Sequence, residues 1–128
     1  MEISAFLANG PIAVAGASTD RAKYGNQVLR ALMRHGIKVY PINPRADQVE
    51  GLKSYPDLNS LPEAVHGLSI ITPPQITEEL VRSAVTLGIK HIWMQPGAES
   101  DTAIQTAEEA DISVIHSGPC ILVALAVS

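Results

Sequence analysis

The sequence predicts an α/β fold: a single open, doubly wound parallel sheet of about five to six strands with helices on both faces. Three observations predict it. Short apolar runs such as Ile12-Ala13-Val14-Ala15 recur along the chain, separated by segments with helical spacing. Each run stops at a small-residue or proline turn. The 128 residues, 46% apolar and 17% charged, suit one globular domain over residues 1–128 with a core of useful size. Strands alternating with helices pair in parallel and are covered on both faces. Right-handed crossovers then wind them into an open sheet.

Met1 to Ala8 reads as a short leading helix ended by Asn9-Gly10-Pro11. Ile12 to Ala15 is the first strand. A helix from about Gly25 to His35 follows, with Val28, Leu29, Leu32 and Met33 spaced for a buried face and Gly36 as its stop. Lys38 to Ile42 is the second strand. Gly51 to Asp57 reads as a short third strand or an extended connection, and Leu58 to Val65 as one or two helical turns with Ser60 and Pro62 near their start. Leu68 to Ile71 is the next strand. Thr72-Pro73-Pro74 breaks it and opens a helix to about Leu87, since proline fits a first turn. Ile76, Leu80, Val81, Ala84 and Val85 are expected along the buried side of that helix, and Gly88 stops it. His91 to Met94 is a strand, Ser100 is the N-cap of a helix ending near Ala110, and Ile112 to Ile115 is the last strand.

Composition narrows the function classes. A net charge of about −4 gives no basic field for nucleic acid, although a local basic spot for a small anionic ligand remains open. The single cysteine, Cys120, excludes a disulfide within the chain and points to a cytoplasmic setting. The start carries Glu2 and no basic segment, so Ile12 to Ala15 is not read as a signal-peptide core. The apolar run Ile121 to Val127 is too short to span a membrane.

The turns after successive strands are Gly16-Ala17-Ser18, Asn43-Pro44-Arg45, Thr72-Pro73-Pro74, Gln95-Pro96-Gly97 and His116-Ser117-Gly118-Pro119. All follow carboxyl ends of parallel strands, so they share the sheet edge where such folds bind ligands. Rigid proline turns with free polar groups suit a preformed cleft. The first turn can hold a pyrophosphate on backbone N–H groups. It does not match the dinucleotide pattern G-x-G-x-x-G, because Ser18 and Arg21 stand where glycines are needed. The second strand ends in Asn43-Pro44-Arg45 rather than the acidic residue that reads a ribose, so Arg45 suits a phosphate, as on NADP or on a ribose 3′-phosphate. No Walker A run is present.

The segments Ala13 to Ser18, Val39 to Pro44, Gly51 to Leu58, Leu61-Pro62, Ile70 to Pro74, Gly88 to Gly97 and Gly118-Pro119-Cys120 occur in the order and spacing of a known family. The chain resembles small stand-alone CoA-binding proteins, which share the Rossmann-like domain at the start of the succinyl-CoA synthetase α subunit. The resemblance covers nearly the whole chain. It implies that Gly16, Ala17 and Ser18 meet the CoA diphosphate and that Asn43, Pro44 and Arg45 approach the adenosine end. By the same resemblance Thr72, Pro73 and Pro74 lie against adenine and pantetheine, and Gln95, Pro96 and Gly97 flank the pantetheine path. The first turn here is poorer in glycine than the synthetase's, and neither a phosphohistidine domain nor a nucleotide-grasp module follows in this sequence.

Single residues add less. Lys23 and Tyr24, just before the first long helix, either clamp a phosphate and stack a base or are solvated loop residues. Cys120 reads first as a structural cysteine; with CoA bound, a mixed disulfide to its thiol is the alternative. His116 is a ligand contact, a general base or a polar strand end, and the last is favoured because no partner is recognisable. Trp93 reads as core. His35, His66 and His91 show no metal spacing. The sequence therefore points to non-catalytic binding of CoA or an acyl-CoA, as a carrier, sensor or regulator, with no catalytic and no metal-ligating residues. The alternatives are an NADP-binding redox domain and an interaction subunit of an acyl-CoA ligase. The expected partner is a small nucleotide ligand, not nucleic acid or membrane. The apolar tail is the candidate face for a homodimer or a ligase subunit.

Overall fold

A computed structural model describes residues 2–126. Five strands form one parallel sheet: β1 (Ile12–Ala15), β2 (Val39–Ile42), β5 (Gly67–Ile70), β6 (His91–Met94) and β7 (Ser113–Ile115), in the order β2-β1-β5-β6-β7. β1, β2 and β5 are buried at every position, as a sheet covered on both faces requires. Helices α1 (Glu2–Leu7), α2 (Tyr24–Arg34) and α5 (Ile121–Ala126) contribute to one core layer, built around Phe6, Val14, Leu29, Leu32, Trp93 and Ile121. Helices α3 (Pro74–Leu87) and α4 (Asp101–Glu109) contribute to the other, around Leu68, Ile70, Val81, Ile92, Met94 and Ala107. The Phe6 ring packs edge-on against Trp93 at 5.3 Å between centroids, which seats α1 on its layer.

The chain winds outward from β1 to β2, then crosses back to β5 on the other side of β1. The order therefore reverses between β1 and β5. A crevice opens at that switch point, beyond the carboxyl ends of the strands, because the connections leave the sheet in opposite directions.

Three local expectations need correction. Gly51 to Asp57 is not a strand of the main sheet. It contributes to an antiparallel hairpin, β3 (Gln48–Val49) with β4 (Leu52–Lys53), turned by Glu50 and Gly51 at φ 51° and 78°. Two successive positive φ angles are what a tight two-residue hairpin uses. Leu58 to Val65 contains one 3₁₀ turn, Leu58–Ser60, capped by Asp57, whose carboxylate accepts from the Ser60 N–H at 2.9 Å. The buried faces of the long helices also shift. On α3 they are Thr77, Val81 and Ala84, whereas Ile76 and Val85 are exposed; on α2 Met33 is exposed and Gly25, Asn26 and Ala31 are buried. Asn26 and Thr77 are polar residues whose hydrogen bonds are satisfied by protein groups, so apolar periodicity alone passes them over.

Other expectations hold. Gly36 and Gly88 follow α2 and α3 with φ of 73° and 75°, and the Ser100 hydroxyl accepts from the Ala103 N–H at the start of α4. Of the leading helix and the apolar tail, Met1 and Val127 lie outside the described residues.

β2 is one of the two edge strands. Pro41 sits in it, and the Tyr55 N–H donates to the Pro41 carbonyl at 3.0 Å while the Asn43 N–H donates to the Tyr55 carbonyl at 2.9 Å. Beside its other end, Lys38 pairs with Glu63 at 2.6 Å, and the Tyr40 hydroxyl donates to the same carboxylate.

Candidate ligand-binding site

A cleft of about 690 Å³ lies at the switch point. Its floor and walls are Ala15 to Ser18 after β1, Ile42 to Arg45 after β2, and Ile71 to Pro73 after β5. The size falls within the range of small-molecule sites. One side is apolar, with Ile42, Pro56, Leu58, Ile76 and Leu80. The other side is the Gly16-Ala17-Ser18 turn.

That turn is set by close backbone contact. Gly16 has φ 92°, and a Cβ there would lie 1.9 Å from the Ile71 carbonyl oxygen. A Cβ on Gly25 would lie 2.0 Å from the Gly16 carbonyl oxygen. The end of β1, the exit of β5 and the first turn of α2 are thus pressed together, and only glycine fits at the two contacts. Gly25 performs the helix-to-strand packing that the last glycine performs in a dinucleotide fingerprint, but nine residues after Gly16 instead of five. Neither α2 nor α3 has a side-chain cap, so the positive ends of both helix dipoles stay unneutralised at this edge.

Side chains hold the loop that follows. Asn26, fully buried, donates from Nδ2 to the Ser18 carbonyl at 2.8 Å and to Glu50 at 3.1 Å, and accepts at Oδ1 from Arg30 at 2.7 Å. Arg21 pairs with the same Glu50 carboxylate at 3.4 Å. The hairpin turn is thereby fastened to the loop after β1. Ser18 Oγ accepts from the Asp20 N–H at 3.0 Å, which leaves its hydroxyl proton free to donate.

The second turn is bracketed to the first. Asn43 donates from Nδ2 to the Ala17 carbonyl at 2.9 Å and accepts at Oδ1 from the Arg45 N–H at 2.8 Å. Both ends of its amide are engaged, so Asn43 fixes turn geometry. Arg45 lines the cleft, and among the described residues its guanidinium has no ion-pair partner. Asp57 and Glu79 also line the cleft, so the basic character is confined to the Arg45 corner. Thr72 Oγ1 lies 2.9 Å from Thr77 Oγ1, which ties the third turn to α3.

The cleft thus gathers Gly16, Ala17, Ser18, Asn43, Pro44, Arg45, Thr72 and Pro73. Lys23, Tyr24, Pro74, Gln95, Pro96 and Gly97 lie outside its lining. Lys23 is exposed before α2, and Pro74 is the first residue of α3. Tyr24, the first residue of α2, and Gln95, just past the end of β6, form a second cluster one strand over. The Tyr24 hydroxyl and the Ile121 N–H both donate to Gln95 Oε1, at 3.1 and 3.0 Å. Burial, and then Cys120 beside it, push the Tyr24 phenol above its ordinary range. The β6 and β7 turns are joined by Glu99, which accepts from the Gly97 and Ser117 N–H groups at 2.9 and 3.2 Å. Trp93 is core, as expected, and its indole N–H donates to the Pro119 carbonyl at 3.0 Å. His116 Nδ1 lies 2.5 Å from the Ser117 hydroxyl, a neighbour-to-neighbour contact.

The sequence did not single out the apolar wall. Pro56-Asp57-Leu58 carried no strand-end signal, because the hairpin that delivers them was unseen. Ile76 and Leu80 were assigned to the core.

The model of the family described as a CoA binding domain matches residues 11–126. The chain belongs to that family. Over 81 residues it is 36% identical to an ADP-forming acetate–CoA ligase of Archaeoglobus fulgidus, a match covering 62% of this chain and 12% of the ligase. The stretch therefore spans far less than two thirds of that relative. Among solved structures, a conserved hypothetical protein from Pyrococcus furiosus superposes with a TM-score of 0.83 at 40% identity, over 88% of this chain and 97% of that one. The apo form of the dinucleotide-forming acetyl-coenzyme A synthetase 1 of Ca. Korarchaeum cryptofilum gives 0.71 at 32% identity, over 80% of this chain and 25% of the synthetase. The Rossmann-like reading of this CoA binding domain is thus supported by sequence and fold together. Among the described residues no group of three or more His, Cys, Asp or Glu could hold a metal ion, and no helix is long and apolar enough to cross a membrane.

Proposed function

We propose that this domain binds CoA or an acyl-CoA non-catalytically in the switch-point cleft, as a carrier, sensor or regulator. The observation that carries the reading is the cleft itself: a glycine-walled turn, a free arginine and an apolar wall converge on one 690 Å³ space in a chain of this family. The diphosphate lies on the Gly16-Ala17-Ser18 turn, where the Ala17 and Ser18 N–H groups and the Ser18 hydroxyl donate, the Gly16 N–H being engaged by the Ile42 carbonyl. Arg45 meets the ribose 3′-phosphate, and adenine packs between the apolar wall and Thr72-Pro73. Pantetheine then runs past Ile71 toward Gln95, Pro96 and Gly97. The ligase relatives favour one alternative, in which this domain serves as the CoA-holding part of an acyl-CoA ligase assembly.

A thermal-shift panel with CoA, acetyl-CoA, NAD, NADP and ATP tests this. CoA at 100 times its dissociation constant should stabilise the fold by about 2.7 kcal/mol. A clear shift with NADP and none with CoA would reject the reading in favour of a redox domain.

A further inference from the structure

We infer that Cys120 exchanges with the disulfide form of CoA, so that the bound pantetheine sulfur becomes joined to this chain. The inference rests on CoA binding in the cleft, and it stands on the cluster beside the cleft. Cys120 is half-buried at the entry to α5, and its sulfur accepts from the Val123 N–H at 3.4 Å. Tyr24, whose phenol is raised by burial and then by Cys120, donates to Gln95 Oε1 at 3.1 Å.

Gln95 gives the second, independent observation. It is fully buried, and its Oε1 accepts from Tyr24 and Ile121, the two groups flanking Cys120. Its amide orientation is not arbitrary: a backbone N–H can only donate, so the atom facing Ile121 must be oxygen. The Nε2 group is then left without an acceptor in the structure. Buried donors are nearly always paired, so this one marks a place for a missing acceptor. Pantetheine carries amide carbonyls along its length. The Gln95 N–H donates to the Ile70 carbonyl at 3.0 Å, so Gln95 stands one strand from Ile71 on the cleft wall. One strand spacing is about 4.8 Å, a short step for an extended pantetheine arm that starts at the Gly16 turn.

The step balances without an added oxidant. The Cys120 thiolate attacks one sulfur of CoA disulfide, the S–S bond between the two CoA moieties breaks, and a new S–S bond joins Cys120 to one CoA. The departing CoA thiolate takes up the proton that Cys120 gave up. No net oxidation occurs.

The test is intact-mass measurement of the whole chain after exposure to CoA disulfide, with thiol release followed in parallel. The expected result is one CoA per chain, on Cys120, one equivalent of free CoA released, and reversal by a reducing thiol. Because the nucleotide anchors the reagent, CoA disulfide should react roughly tenfold or more faster than glutathione disulfide at equal concentration. No adduct, or equal rates for the two reagents, overturns the inference. Calorimetric titration of C120S with reduced CoA separates the two readings. Binding by C120S without an adduct on the native chain rejects only the exchange; no binding by either protein rejects CoA binding as well.

Discussion

Replacing Gly25 by alanine tests the contact on which the cleft is built. Gly25 has an ordinary helical backbone, so the substitution brings no conformational penalty, and in an open helix it would stabilise. The added Cβ would lie 2.0 Å from the Gly16 oxygen and 2.9 Å from the Gly16 carbonyl carbon, inside the 3.0 Å that real Cβ atoms keep. Both neighbours are backbone, so no side chain can swing away. Helix α2 and the Gly16 turn must separate by about 1 Å or more, against the packing of Val28 and Leu29 on the sheet. Overpacking of this kind costs about 1–3 kcal/mol. The helical gain for alanine is at most about 1 kcal/mol and smaller in a first turn. A net loss of about 1–2 kcal/mol corresponds to a Tm lower by roughly 4–8 °C for a chain of this length. The diphosphate wall moves with the turn, so CoA affinity should fall by about tenfold, or ~1.4 kcal/mol. Gly36→Ala is the matched control. It has open space around it and φ 73°, so it should lose about 1 kcal/mol of stability through backbone strain alone and keep its CoA affinity. Differential scanning calorimetry and calorimetric CoA titration on the two variants decide the matter. A Gly25→Ala protein as stable as the native chain and unchanged in CoA affinity would refute the reasoning.

Arg45→Ala should weaken CoA by about ten- to a hundredfold and dephospho-CoA little, since a charge-assisted contact to phosphate is worth about 1.5–3 kcal/mol; equal losses in titration calorimetry would remove Arg45 from the 3′-phosphate. Burial, with His66 stacked at 4.4 Å, holds the His91 imidazole below its ordinary value of 6.5, so the fold favours neutral His91. That contribution is complete above about pH 6.5 and is lost as pH falls below it; urea midpoints for His91→Gln should fall less between pH 8 and pH 5 than those of the native chain, and parallel curves would exclude the effect. Trp93→Phe keeps the ring contact with Phe6 but deletes the hydrogen bond to Pro119, and should cost about 0.5–1.5 kcal/mol by urea unfolding; faster amide exchange confined to the 116–121 segment is the signature, and an unchanged exchange pattern would show that the Trp93–Pro119 bond does not hold that segment.

The sheet was legible because buried parallel strands are written as unbroken apolar runs: Ile12 to Ala15 and His91 to Met94 appear in the structure at those boundaries. The strand-end turns were legible for the same reason, since a parallel sheet places every such turn on one edge. What escaped was set by contacts distant in sequence. The hairpin at Gln48 to Lys53 turns on Glu50 and Gly51, not on the Asn-Gly or Asp-Gly pair that announces such turns, and Glu50 keeps its positive φ while engaged by Asn26 and Arg21. Ile76 followed the apolar period of α3 but faces the cleft, because Thr77 takes the buried position by bonding within its own turn. Gly25 was seen, but its purpose needed the position of Gly16 in space. The grouping of Tyr24, Gln95 and Cys120 joins residues up to 96 positions apart, and no local pattern encodes it.

The edge strand carries one more consequence. An outermost strand normally offers a row of unpaired backbone groups on which a second chain can grow a shared sheet. Here β2 gives up one donor to Pro41, lends its upper end to Tyr55, and has the charged Lys38–Glu63 pair beside its lower end. That border is closed to sheet extension. Of the two sheet borders only β7 is left for a continuous intermolecular sheet, so the cleft, bordered by β2, stays clear of one.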